Sequence, residues 1–345
     1  MQISCAFATT LGSAEHIRIA EQLGYERAWL YDTPQQSPDV WMVLTLAATR
    51  TERIGLGPGV LVPTLRHPMV NAAATSALEA LAPGRVAVAF GTGFTGRRAM
   101  GYGAITWAYM ERYINAYTGL LRGETIEWEG ARMRMMHPDD NAGALPDGIP
   151  ILIGATGPKG RDLARRLGHG VLAATQLDPA LAEFSDVSFL YHGTVRDDDE
   201  TPTDELQRAT NGPGFALIYH SAYEFAGSAA METLPGGRQW LAVINTHPDN
   251  ERHLGVHTGH LIAMNDADHA AWDAGGAAIA DQLTISGTTS EVARRLDELA
   301  EQGVTELIYQ PAGPDIPGQL ERMLAAAQQV KRPVRSARSP RDVRG

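Results

Sequence analysis

The chain has 345 residues, 44% of them hydrophobic and 20% charged, enough apolar content for a large core and too much for bulk disorder. Forty acidic residues against 29 basic ones give a net charge of −11, which argues against broad binding to nucleic acid. A single cysteine, Cys5, excludes an internal disulfide and a cysteine-rich metal site. The opening residues lack a basic, apolar leader, and no run reaches the roughly 20 apolar residues of a membrane span, so a soluble cytoplasmic protein is expected.

Short apolar runs alternate with helical patterns along the chain. Strands are predicted at 3–7, 27–31, 54–60, 85–90, 149–154, 170–174, 215–219 and 306–309, mostly as unbroken apolar runs that suit parallel strands covered on both faces. Between them, Ser13 can cap a helix with Ile17, Ala20 and Leu23 on one face, ended by Gly24. Pro68 and Pro158 suit the first turns of two more helices, and Thr289 or Ser290 can cap a fourth, ended by Gly303. Eight strand–helix repeats predict an α/β fold, a (β/α)8 TIM barrel, with a doubly wound sheet as the alternative. Two stretches interrupt the rhythm, about 102–149 after the fourth strand and 221–287 after the seventh. The first holds a long helix over 107–122 and a hairpin around Trp128-Glu129-Gly130. One domain is expected over 1–330, followed by a solvated basic tail at 331–345 with six bases and one acid.

Several motifs fall at strand ends. Gly91-Thr92-Gly93-Phe94-Thr95-Gly96 matches a dinucleotide fingerprint in letters, but no convincing helix opens on its glycines. It reads better as a strand end where a flat ring can approach the backbone. Gly154-Ala155-Thr156-Gly157-Pro158-Lys159 lies between a strand and a helix. It can be a phosphate cradle or simply a tight turn. Arg66-His67-Pro68 ends the third strand, with His67 read as a helix cap. Asp32 follows the second strand, where a carboxylate can serve a site or close an Asx turn. His220 ends the seventh predicted strand in the same way, as an acid/base candidate. His253, His257 and His260 would share a face if helical and could hold zinc, but Gly255 and Gly259 weaken that helix. Lining a pocket is the simpler role for them. Asp197-Asp198-Asp199-Glu200 reads as a solvated acidic loop.

Taken in order, these pieces resemble the luciferase-like monooxygenase superfamily of flavin and deazaflavin barrels, and its methylenetetrahydromethanopterin-reductase-like branch in particular. The residues that carry the resemblance are "GYERAWLYD" (24–32), "ATRTERIGLGPGVLVPTLRHP" (48–68), "LEALAPGRVAVAFGTG" (78–93), "PILIGATGPKGRDLARRLGHGVL" (150–172) and "LTISGTTSEVARRLDELAEQGVTELIYQP" (283–311). The match is loose near 178–252. The resemblance implies a ring in the barrel mouth, a cis peptide at Gly59-Val60 against it, and Asp32, Gly91, Thr92 and Gly93 at its border. It also implies a cofactor phosphate on Gly154, Ala155, Thr156 and Gly157, with Lys159 adding charge. The family's deazaflavin dehydrogenases have His after the second-strand Asp and an acid after the fourth-strand glycines; here Thr33 and Phe94 stand there. Acid/base chemistry must then come from elsewhere, and His220, His253, His257 and His260 are the candidates.

The expectation is therefore an oxidoreductase that uses coenzyme F420 or FMN, with no metal, for hydride transfer to a small organic substrate or its oxygenation. "GATGPK" favours the deazaflavin. An FMN-dependent monooxygenase, a metal-dependent hydrolase built on His253, His257 and His260, and a non-catalytic flavin-binding barrel are the rivals. A homodimer, supplied with reductant by a flavin or F420 reductase, is implied by the resemblance. Trp107, Tyr109, Tyr223 and Trp240 could offer flat contact to a substrate, although aromatic residues more often fill cores.

Overall fold

The structure, a computed structural model, describes residues 1–138, 145–146, 148–155, 157–175 and 177–330. Thr156 and the expected tail at 331–345 lie outside the described residues. Eight parallel strands close into a barrel: β1 (Gln2–Phe7), β2 (Arg27–Leu30), β3 (Gly55–Leu61), β4 (Val88–Phe90), β5 (Ile151–Gly154), β6 (Gly170–Ala174), β7 (Val187–His192) and β8 (Glu306–Gln310). Each strand pairs with its neighbours in chain order, and β8 closes the ring on β1 through pairs such as Ile3 with Leu307. The (β/α)8 expectation thus holds.

Seven strands fall where the sequence places them; the seventh does not. Residues 215–219 form no strand but belong to the helix Gly212–Ala226, and β7 is the stretch Val187–His192. The reason is local. Pro213 sits in the first turn of that helix, and Phe215, Tyr219 and Tyr223 recur every four residues along one face. That face packs on Trp240 and Trp272. In β7 the serine disguises the strand: Ser188 points inside and bonds Glu306, which also accepts from Trp29 Nε1 at 3.3 Å. The large connection between β7 and β8 therefore begins at 193 rather than 221.

Helix ends follow the predicted chemistry with small shifts. Gly24 closes the helix Ser13–Leu23 at φ 102°, where a side chain would be strained. Thr288, one residue before the expected cap, opens the helix Thr289–Glu301 in a capping box with Glu291. The expected hairpin is formed by Ile126–Trp128 and Ala131–Met133.

Three apolar clusters divide the molecule. The largest lies between the barrel and its outer helices. A second fills the barrel interior with Ala6, Trp29, Tyr31, Ala89, Leu152 and Ile308. The third belongs to the β7–β8 connection alone and includes Phe215, Tyr219, Trp240, Val256 and Trp272. Among the described residues no helix is long and apolar enough to cross a membrane.

Candidate active site at the barrel mouth

The floor of the mouth is made by strand ends that lack side chains. The Gly59-Val60 peptide is cis, where the resemblance places it. Val60 leans toward β4, and a Cβ on Gly91 would lie 2.4 Å from its Cγ2. A Cβ on Gly154, at the end of β5, would lie 3.1 Å from the Phe90 carbonyl and 3.4 Å from both Gly91 Cα and Val60 Cγ1. Neighbouring strands thus present bare backbone around one branched side chain. Beyond them Gly93 adopts φ 91° and opens the short helix Phe94–Arg98, while the Thr92 carbonyl accepts from Ile105 N at 3.1 Å.

Asp32 stands beside this floor, buried at the end of β2. Its Oδ2 accepts from Arg66 at 2.7 Å, and Arg66 also bonds Asp39 at 2.7 Å. Burial pushes the Asp32 carboxyl up from its ordinary range, against the pull of Arg66. Its Oδ1 and the adjacent Tyr31 hydroxyl are buried without hydrogen-bond partners. Such atoms are costly to leave dry, so they suit a ligand that brings polar groups. His67 caps the helix Pro68–Leu81, accepting from Met69 N at 3.1 Å, and takes the bland role expected of it.

The turn after β5 is open. Ala155 is buried and donates its N–H to the Leu172 carbonyl at 3.1 Å. Gly157 begins the helix Pro158–Leu167 with no side-chain cap, and a Cβ there would meet nothing within 4 Å. Lys159 is exposed in its first turn. Space, a helix N-terminus and a lysine suit a phosphate.

The roof comes from the β7–β8 connection. The helix Arg252–His257 ends at His257, and the chain turns back through Leu261 at φ 69°. Leu261 packs with the barrel-interior cluster, and its carbonyl accepts from Gln310, the last residue of β8, at 3.2 Å. His260 therefore sits over the mouth, its ring 5.8 Å from that of Phe94. His220 reaches it from the helix Gly212–Ala226, with 2.5 Å between the two Nδ1 atoms. Behind His220 stands Asp268, its oxygens 3.0 and 3.2 Å from His220 Nε2. His257 turns the other way and donates from Nε2 to Glu224 at 2.9 Å, and Glu224 also pairs with Arg98. Burial alone would raise the Glu224 carboxyl, but His257 and Arg98 outweigh it and hold it low.

Three of the four candidate histidines are thus brought together, and one is not. His253 packs against Gly101 instead, 3.2 Å from where a Cβ would stand. The three histidines in 253–260 do not share a helix face, because the helix stops at His257. Among the described residues no group of three His, Cys, Asp or Glu could hold a metal. Of the aromatic candidates, Trp240 is buried in the core of the connection and donates to Asp268 at 2.8 Å. Tyr109 packs on Tyr113 and Trp128, and Tyr223 on Trp240.

The sequence assigns no role to Tyr31, Arg66, His192, Glu224 or Asp268. His192 ends β7, in the stretch where motif matching is loose, and burial lowers its pKa to about 4 despite the Gln310 side chain beside it. Placing β7 at 187–192 would have found it, since strand C-termini line a barrel's site. Asp268 gave one signal, an Asn265-to-Asp268 spacing that forms a capping box.

The comparisons agree with the fold. The chain is 28% identical over 326 residues to 5,10-methylenetetrahydromethanopterin reductase of Archaeoglobus fulgidus, covering 87% of this chain and 90% of that protein. It is 33% identical over 188 residues to F420-dependent glucose-6-phosphate dehydrogenase of Beutenbergia cavernae, covering 48% and 55%. The solved coenzyme F420-dependent tetrahydromethanopterin reductase of Methanopyrus kandleri superposes with a TM-score of 0.66 at 21% identity, covering 93% of this chain and 97% of that one. The model of the luciferase-like monooxygenase family matches residues 12–306. With a closed eight-stranded barrel and a family match over most of its length, the chain belongs to the luciferase-like monooxygenase family.

Proposed function

We propose that this oxidoreductase moves hydride between coenzyme F420 and a small organic substrate at the barrel mouth. The observation that carries the reading is the mouth itself. A floor without side chains at Gly91 and Gly154 lies beside buried polar atoms with no partner, Asp32 Oδ1 and Tyr31 OH. That combination suits a flat ring with polar edges. The floor would take the ring, Asp32 and Tyr31 its edge, and the turn at Gly154, Ala155 and Gly157, with Lys159, its phosphate. When bound, a deazaflavin supplies hydride with its two electrons and activates oxygen poorly. The residues over the mouth, Leu261 and His260, would shut out water and flank the substrate.

The deazaflavin is favoured over FMN because relatives that the chain resembles are named as F420-dependent glucose-6-phosphate dehydrogenase and 5,10-methylenetetrahydromethanopterin reductase, and the solved tetrahydromethanopterin reductase is named as coenzyme F420-dependent. The test is a fluorescence titration of purified protein with F420 and, separately, FMN. Saturable micromolar or tighter binding of F420, with FMN at least about tenfold weaker (about 1.4 kcal/mol), is expected. Preference for FMN would replace the reading with flavin-dependent monooxygenation. Binding of neither would end both.

A further inference from the structure

The roof contains a chain of three polar side chains that sits apart from the floor: Asp268, His220 and His260. All three are buried, at 2% exposure or less. Their hydrogen bonds limit where the protons can lie. Asp268 accepts from Trp240 Nε1 at 2.8 Å and from the Asn265 backbone N–H at 2.9 Å, so it is a carboxylate that only accepts. His220 must therefore donate to it from Nε2. With one proton on its ring, at Nε2, His220 has a bare Nδ1. The contact of that Nδ1 with His260 Nδ1 needs one proton, and His260 must carry it. His260 is left with a bare Nε2, and that atom is buried with no partner. Burial keeps the His260 ring uncharged well below the usual range of histidine.

We infer that His260 Nε2 is the proton acceptor of the reaction, poised for a substrate hydroxyl, with His220 and Asp268 as positioning residues that fix its tautomer. The inference rests on the proposed F420 reading. A hydroxyl-bearing carbon fits because the alcohol O–H must lose its proton as the carbon loses hydride. The O–H bond breaks toward His260 Nε2, and its electron pair becomes the second C–O bond of a carbonyl. The hydride leaves the carbon with two electrons for the oxidised deazaflavin. As Nε2 gains its proton, the Nδ1 proton of His260 passes to His220 Nδ1. The positive charge then rests on His220 beside the Asp268 carboxylate rather than on the ring over the mouth. This resolves the cost of charging a buried imidazole. It also replaces the acid/base groups that Thr33 and Phe94 cannot supply.

The test reads protonation directly. Long-range proton–nitrogen NMR of histidine-labelled protein without cofactor, assigned through His220→Gln and His260→Gln, reports each ring nitrogen. Expected is His260 protonated at Nδ1 and bare at Nε2, with His220 protonated at Nε2. A proton on His260 Nε2 overturns the inference. In oxidation of a secondary alcohol by bound F420, His260→Gln should lower kcat by about 100-fold or more, while KM and F420 affinity stay within about threefold. Asp268→Asn should lower kcat less and mix the His260 tautomers. Undiminished kcat in His260→Gln would also overturn it. Loss of F420 binding by the wild-type protein would instead sink the proposed function, and the tautomer result would stand apart from it.

Discussion

Gly91 shows how little freedom the floor has. An alanine there would set its methyl 2.4 Å from Val60 Cγ2, a short branched side chain with no flexible end to swing aside. Gly91→Ala should cost about 1–3 kcal/mol of stability by overpacking, read as a lower urea midpoint at unchanged slope. A wild-type midpoint would mean that Val60 can move away. His192 gives a second prediction, about pH. Its folded pKa is pushed down to about 4 by burial, against about 6.5 for an unfolded histidine. Above 6.5 neither state is charged, and nothing is lost. As pH falls from 6.5 to 4, the unfolded chain binds a proton that the folded site refuses, so stability drops by up to about 3 kcal/mol. Urea melts at pH 7.5 and pH 5 should show this drop, and it should be smaller in His192→Gln. Equal acid sensitivity in the two proteins would place the effect elsewhere.

At the scale of elements, the helix Phe94–Arg98 is the piece that depends most on others. One turn and a fraction is too short to be stable alone. The β7–β8 connection holds it from two sides. Phe94 stacks on Phe225 with centroids 5.2 Å apart, and Arg98 pairs with Glu224, which also takes the His257 N–H. Glu224→Ala would strip Arg98 and His257 of their shared acceptor inside a half-buried contact, a loss of about 1–3 kcal/mol. Hydrogen exchange should quicken at 94–98 and 252–257 and stay unchanged in β1 to β6. Uniform quickening would show that the contact supports the whole barrel rather than this junction. No sequence pattern marks the pairing, because its members are 126 residues apart.

For the whole molecule, the barrel was legible in the sequence because parallel strands buried on both faces are unbroken apolar runs, as in "RAWL", "VAF" and "ILIG". β7 escaped notice because Ser188 breaks its run to satisfy Glu306 inside the barrel, a need that only the closed ring creates. Likewise, the histidines were visible as letters, but their order in space was not. His220 is expected at a strand end but stands within a helix, His253 does not join the histidines it is grouped with, and Asp268 carries no mark, since contacts between helices of one connection leave no period in the chain. The connection also has an apolar core of its own, distinct from that of the barrel. Because the two cores are separate, changes in one need not be compensated in the other. The strand ends that form the floor can stay fixed while the roof drifts, so one ring-holding scaffold can be fitted with new substrate chemistries by rebuilding a single insert. Family-wide similarity should accordingly track the cofactor, and its loss should track the substrate.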